Sequence, residues 1–197
     1  MKLEWGYALL TKNLRKEAIN LAENSELVVF CGGTYDYIES EGRDRENIAL
    51  PKDQIDLIKE IHKVNKNICL VLINGGPISL PWIDKNIDAI VEAWYPGQAG
   101  GTAIAEVLFG DYNPGGKLPL TFYNGNSQLS KFDDYDIRKG HTYMYLKNKP
   151  LFPFGYGLSY SEFEFSSYKL NSNIFNLDDT ISISFNIKNN SEINGSE

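Results

Sequence analysis

The chain has 197 residues, 42% of them apolar, and a formal net charge of −7. That length can bury a real core, and the charge argues against nucleic acid and acidic membrane surfaces, because neither attracts a net anion. No apolar run approaches the roughly 20 residues a membrane-spanning helix needs, and "MKLEWGYALL" shows Glu4 where a signal peptide would be building its apolar segment.

Leu14, Ala18, Leu21 and Ala22 recur at the spacing of one helical face. "LVVF" (27–30) then predicts a fully buried strand. Ile55, Leu57, Ile58, Ile61 and Val64 predict a second amphipathic helix, starting after Pro51. "ICLVLI" (68–73) is a continuous apolar strand closed by "NGGP", and "DAIVEAW" (88–94) is a third strand. "GTAIAEVLFG" (101–110) reads as a short helix ended by Gly110. "KLPLTFY" (117–123) is expected to be a fourth strand, weakened by Pro119. Strands of this kind alternating with helices predict an α/β fold, a mainly parallel sheet flanked by helices. Ligands of such sheets bind at the carboxyl ends of the strands.

Residues 124–150 are polar and loop-like. Beyond them Ile181, Ile183, Phe185 and Ile187 alternate with polar residues, the period of a half-buried antiparallel strand, and "FEFSSYKL" (163–170) predicts another. Two strands fall short of the seven or so of a β-sandwich. The expected division is therefore an α/β domain over 1–160 and the start of an all-β domain over 161–197. Cys31 and Cys69 lie in or beside strand-like runs and are expected to be buried free thiols. No His/Cys cluster has metal-ligand spacing.

The loop after the first strand holds "YIESEGRDRENIALP" (37–51), with Glu39, Glu41, Asp44 and Glu46 interleaved with Arg43 and Arg45. An isolated loop carboxylate is ordinarily a solvated surface group. Here the loop leaves the carboxyl end of a parallel strand, which favours function. Gly42 suits a tight turn, and Asp44–Arg45 suits a loop-fixing ion pair. The glycines of "NGGP" could offer amides to an anion, but no phosphate-loop lysine follows.

Four patches, "ESEGRDRENIALP", "VLINGGPISLPW", "EAWYPGQAGGTAIAEVLFGDYNPGGKLPLTFY" and "PLFPFGYGLSYSEFEF", resemble glycoside hydrolase family 3, the β-glucosidase and β-xylosidase family, in order and spacing. The resemblance covers about residues 25–187. It implies the family's C-terminal α/β sandwich followed by the start of a fibronectin-III-like domain. It also implies that the N-terminal barrel with the nucleophile lies outside this chain. By the same resemblance the whole protein would be extracellular or periplasmic, would need no cofactor, and would release terminal glucose or xylose from β-linked oligosaccharides. The resemblance makes Glu41, three residues before Asp44-Arg45, the general acid/base, with Glu39 as the alternative. "GHTYMYL" departs from the family, with His141 and Met144 where relatives carry arginine. Trp94, Tyr95, Phe152, Phe154 and Tyr156 suit packing or a sugar face, and His62 a structural role. A non-catalytic binding or assembly module is the rival reading.

Overall fold

The structure, a computed structural model, describes residues 12–197. The chain divides into two compact units. One comprises Met1–Gly101 with Leu120–Phe154, the other Thr102–Pro119 with Gly155–Glu197.

The first unit is built on β1 (Val28–Gly33), β2 (Ile68–Ile73) and β3 (Ala89–Glu92), which pair in parallel in that spatial order. The mainly parallel sheet flanked by helices expected from the sequence is present. Helix α1 (Lys12–Glu23) precedes β1, α2 (Lys52–Val64) joins β1 to β2, and α3 (Pro81–Asn86) joins β2 to β3. The core is β2 with its helices. Leu70, Val71, Ile58, Ile78 and Ile83 are fully buried. Burying each such side chain is worth about 1.5–3 kcal/mol, so this layer dominates the apolar term. Short α3 starts on Pro81 at its first turn, where a missing N–H costs nothing.

Several expectations need correction. Strand β1 is half-buried, not fully buried. It is an edge strand: Val28 and Phe30 pack on the core, while Val29 and Cys31 on the other face are exposed. Cys31 is therefore an exposed thiol, and only Cys69, on the central strand, is buried. Leu21 of α1 is also exposed, and the helix buries Ala22 with Ala18 and Ile19 against the core. No strand forms over 117–123. Phe122 alone makes an antiparallel bridge, to Phe152. Pro119 lacks the N–H a ladder requires and breaks the run. The 124–150 stretch is mainly loop, with two short 3₁₀ turns and the one-turn helix α5 (Thr142–Tyr145).

In the second unit α4 (Gly100–Phe109, mostly within it) is followed by a loop organised by Asn113. Its amide donates to Ser161 Oγ at 2.7 Å and to the Asn194 carbonyl at 3.0 Å, and its oxygen accepts from Ser159 Oγ and the Tyr160 amide. Strands β4 (Phe163–Leu170) and β5 (Ile183–Asn189) pair antiparallel, with an irregularity between Ser166 and Lys169. Phe185 rests against Phe165 and Tyr168, yet Ile181, Ile183 and Ile187 remain exposed. Among the described residues no helix is long and apolar enough to cross a membrane.

Candidate functional site

The site forms where the 34–51 loop leaves β1. Gly33 ends the strand with φ 144°, and a Cβ there would lie 1.9 Å from the Ile73 carbonyl oxygen, so only glycine fits. The Gln54 side chain of α2 closes this end by pairing with both backbone groups of Gly33: its oxygen accepts from the amide at 2.8 Å and its nitrogen donates to the carbonyl at 3.0 Å. The far end of the loop is tied by Asn126, which accepts from the Ile48 amide and donates to the Glu46 carbonyl.

Between these ties stands Glu39. One carboxylate oxygen accepts from Thr34 Oγ1 at 2.5 Å, the Gly75 amide at 3.2 Å and the Tyr95 hydroxyl at 3.2 Å. The other meets Arg45 Nε at 2.5 Å. Arg45 also donates from Nη2 to the Pro77 carbonyl, so one guanidinium fastens the loop to the turn after β2. Burial by itself would raise the Glu39 pKa. The Thr34 hydroxyl, the Arg45 charge, the Gly75 amide and the Tyr95 hydroxyl together outweigh it and hold the carboxyl below its ordinary value. Glu39 is thus an ionised anchor at neutral pH. Burial, followed by the neighbouring carboxylate, pushes the Tyr95 phenol up.

Two residues further on, Ser40 and Arg43 exchange backbone hydrogen bonds and close a tight turn. Gly42 takes φ 74° at its third position, as the turn requires. Glu41 rides on this turn, exposed, with no hydrogen bond or ion pair to any described residue. A depression of about 410 Å³ lies beside the turn, bounded by Glu39, Arg43, Arg45, Gly75 and Tyr95. The structure therefore separates the two candidate carboxylates by their surroundings: Glu39 is tied down and Glu41 is exposed.

The other singled-out residues sort by contact. Asp44 is exposed, and the expected Asp44–Arg45 pair is replaced by Glu39–Arg45. The reason is geometric: Arg45 turns inward with its side chain 11% exposed, where Glu39 is the carboxylate within reach. Trp94 and Phe152 both pack edge-on against Phe122. Phe154 stacks on exposed Tyr143 with ring centroids 4.6 Å apart. Tyr156 is partly exposed. His62 packs edge-on against Trp82. His141 has a buried Nε2 without a partner among the described residues, and Met144 is exposed. Sequence reasoning missed Thr34 and the anchoring role of Tyr95. It set aside the amides of "NGGP" as an anion seat because no phosphate-loop lysine follows, and the anion that Gly75 does meet is the chain's own Glu39.

Residues 7–160 match the sequence profile described as "Glycosyl hydrolase family 3 C-terminal domain". A xylan 1,4-β-xylosidase of Xylanibacter ruminicola is 46% identical over 165 residues, covering 79% of this chain and 19% of that protein. A β-glucosidase of Bacteroides ovatus is 37% identical over 94% of this chain and 27% of its own length. Among solved structures, a β-glucosidase of Bifidobacterium adolescentis superposes with a TM-score of 0.83 at 30% identity, covering 95% of this chain and 29% of that one. One from Kluyveromyces marxianus gives 0.81 at 35% identity, over 92% and 23%. The chain thus spans only about a fifth to three tenths of the length of these relatives.

Proposed function

Because the chain belongs to glycosyl hydrolase family 3, with residues 7–160 forming its C-terminal domain, we propose that it supplies the general acid/base of a retaining exo-β-glycosidase, and that this residue is Glu41. The nucleophile comes from a barrel domain outside this chain, and the substrate is a β-linked oligosaccharide ending in glucose or xylose. Similarity to both a β-xylosidase and a β-glucosidase supports that pair of sugars. The domain division at 160, with a fibronectin-III-like segment over 161–197, belongs to the same proposal.

The observation that carries the assignment is the contrast between the two glutamates. A general acid must hold a proton at working pH and must reach the leaving oxygen. Glu39 meets neither need, since four donors stabilise its ionised form and occupy it. Glu41 has no partner among the described residues and sits at a turn tip. A retaining mechanism places two carboxyl groups about 5–5.5 Å apart. The barrel carboxylate attacks the anomeric carbon while the Glu41 carboxyl gives its proton to the departing oxygen. The resulting Glu41 carboxylate then takes a proton from water, whose oxygen displaces the enzyme carboxylate. Seating against the barrel would desolvate Glu41 beside that second carboxylate, and both effects raise a carboxyl pKa.

The test uses the chain joined to its barrel. Glu41→Gln is expected to lose about 10²–10⁴-fold on substrates with poor leaving groups, the usual worth of general acid–base help. It loses far less of the first step on aryl glycosides whose leaving group needs no proton, and azide restores turnover there by forming a β-glycosyl azide. Both signatures appearing in Glu39→Gln, and neither in Glu41→Gln, would transfer the role to Glu39. Neither signature in either variant would remove the catalytic role from both glutamates and place the general acid elsewhere.

A further inference from the structure

Two turns converge on Glu39. The turn after β2 delivers the Gly75 amide, and the turn after β3 delivers the Tyr95 hydroxyl. Glu92 lies between their roots, at the last position of β3 and in register with Leu72 of β2. Its Oε1 accepts from the Trp94 amide at 3.1 Å. Its Oε2 lies 3.4 Å from Asn74 Nδ2, and that same nitrogen donates to the Gly76 carbonyl at 2.8 Å. One carboxyl group therefore touches both turns.

Independent features mark this cluster. Trp94 has φ 52°, a backbone region that a bulky side chain rarely adopts, and the Glu92 acceptor secures its amide there. Asn74 is completely buried, and its Oδ1 has no partner among the described residues. Burial pushes the Glu92 carboxyl up to about 7, against the smaller opposing effects of the Trp94 amide and the Asn74 side chain. No charged side chain is among those influences. The charged and titratable groups of the facing loop and turns, Glu39, Arg45 and Tyr95, engage Gly75, Pro77 and one another instead. A protonated carboxyl carries one O–H donor, and Asn74 Oδ1 is the buried acceptor of this cluster that lacks one.

We propose that Glu92 is a positioning residue: through Trp94 and Asn74 it holds the two turns that aim Tyr95 and Gly75 at Glu39, and so it fixes the turn that carries Glu41. The catalytic consequence rests on the glycosidase reading above, whereas the coupling of Glu92 to Glu39 does not.

The experiment is a pH titration of the 197-residue chain by NMR, with labelled glutamate carboxyls and backbone amides. In the wild type the Trp94 and Gly75 amides should shift with the midpoint of the Glu92 carboxyl. Glu92→Gln, which mimics the protonated side chain, should abolish that shift and leave the Glu39 midpoint in place. Glu92→Ala should let the Glu39 midpoint rise toward its ordinary value. A Gly75 amide indifferent to Glu92 ionisation overturns the proposal. So does a Glu39 midpoint displaced by the Gln variant. Both readings stand even where the Ala variant fails to fold. In the enzyme joined to its barrel, Glu92→Ala should lower kcat/KM by about tenfold or more, as small misplacements do, and Glu92→Gln should restore it. A joined wild type without glycosidase activity would refute the proposed function while leaving the NMR coupling intact.

Discussion

Replacing Glu39 by glutamine tests whether the loop is held by the anchor described above. The side chains of Arg45 and Glu39 are 11% and 18% exposed, so solvent screens the pair little. Glutamine keeps an oxygen that the Gly75 amide and Thr34 hydroxyl can use, but it removes the charge facing Arg45. Among the described residues the guanidinium then keeps only its bond to the Pro77 carbonyl, and its Nη1 is already buried without a partner there. Stranding one member of a well-buried pair costs about 3–5 kcal/mol, and the surviving hydrogen bonds reduce this to about 2–4 kcal/mol. The assay is urea unfolding followed by tryptophan fluorescence, in which the midpoint should fall while the slope stays constant. The sign with pH is fixed by the depressed Glu39 pKa. Its contribution is fully present above the ordinary carboxyl range and disappears as pH falls through the lowered folded-state value, so the gap between variant and wild type should narrow in acid. Arg45→Met added to Glu39→Gln should recover part of the loss by removing the stranded charge. A Glu39→Gln midpoint unchanged at neutral pH, or a gap that does not narrow in acid, would refute the anchor.

Gly33→Ala should destabilise the chain by more than about 2 kcal/mol, since a Cβ would collide with the Ile73 carbonyl at a φ that alanine resists; thermal unfolding by circular dichroism measures this. The raised Glu92 pKa has the opposite sign to that of Glu39. Below the ordinary value near 4.5 both folded and unfolded states are protonated, and as pH rises from there to about 7 only the unfolded state ionises. Wild-type stability should therefore drop by about 3 kcal/mol across that window and level off above it, and Glu92→Gln should remove this slope in unfolding curves taken at successive pH values. The exposed isoleucines of β5 present an apolar edge that invites association; Ile183→Lys with Ile187→Lys should reduce self-association in light scattering without lowering the melting temperature.

Much of this protein is legible in one dimension, because burial writes itself into local pattern. The unbroken apolar run 68–73 could only be an interior strand, and β2 is the buried centre of the sheet. The 3.6-residue recurrence of Ile55, Ile58 and Ile61 fixed α2 in the same way. The place of the candidate loop followed too, since a parallel strand that ends at Gly33 must release its chain at the carboxyl edge of the sheet. Where the neighbours of an element decide its fate, pattern gives out. The residues of β1 read like those of β2, but position at the sheet edge left Val29 and Cys31 exposed. The segment 117–123 has strand composition yet found only a single bridge. The different surroundings of the two loop glutamates were set by tertiary structure alone. Glu39 and Glu41 stand two residues apart in similar local sequence, and what distinguishes them is Thr34 from the same loop, Gly75 from the turn after β2 and Tyr95 from the turn after β3, all converging on one carboxylate. A carboxyl group's charge state is set by the donors and the burial around it, and partners 36 and 56 residues away are brought together only by the folded sheet.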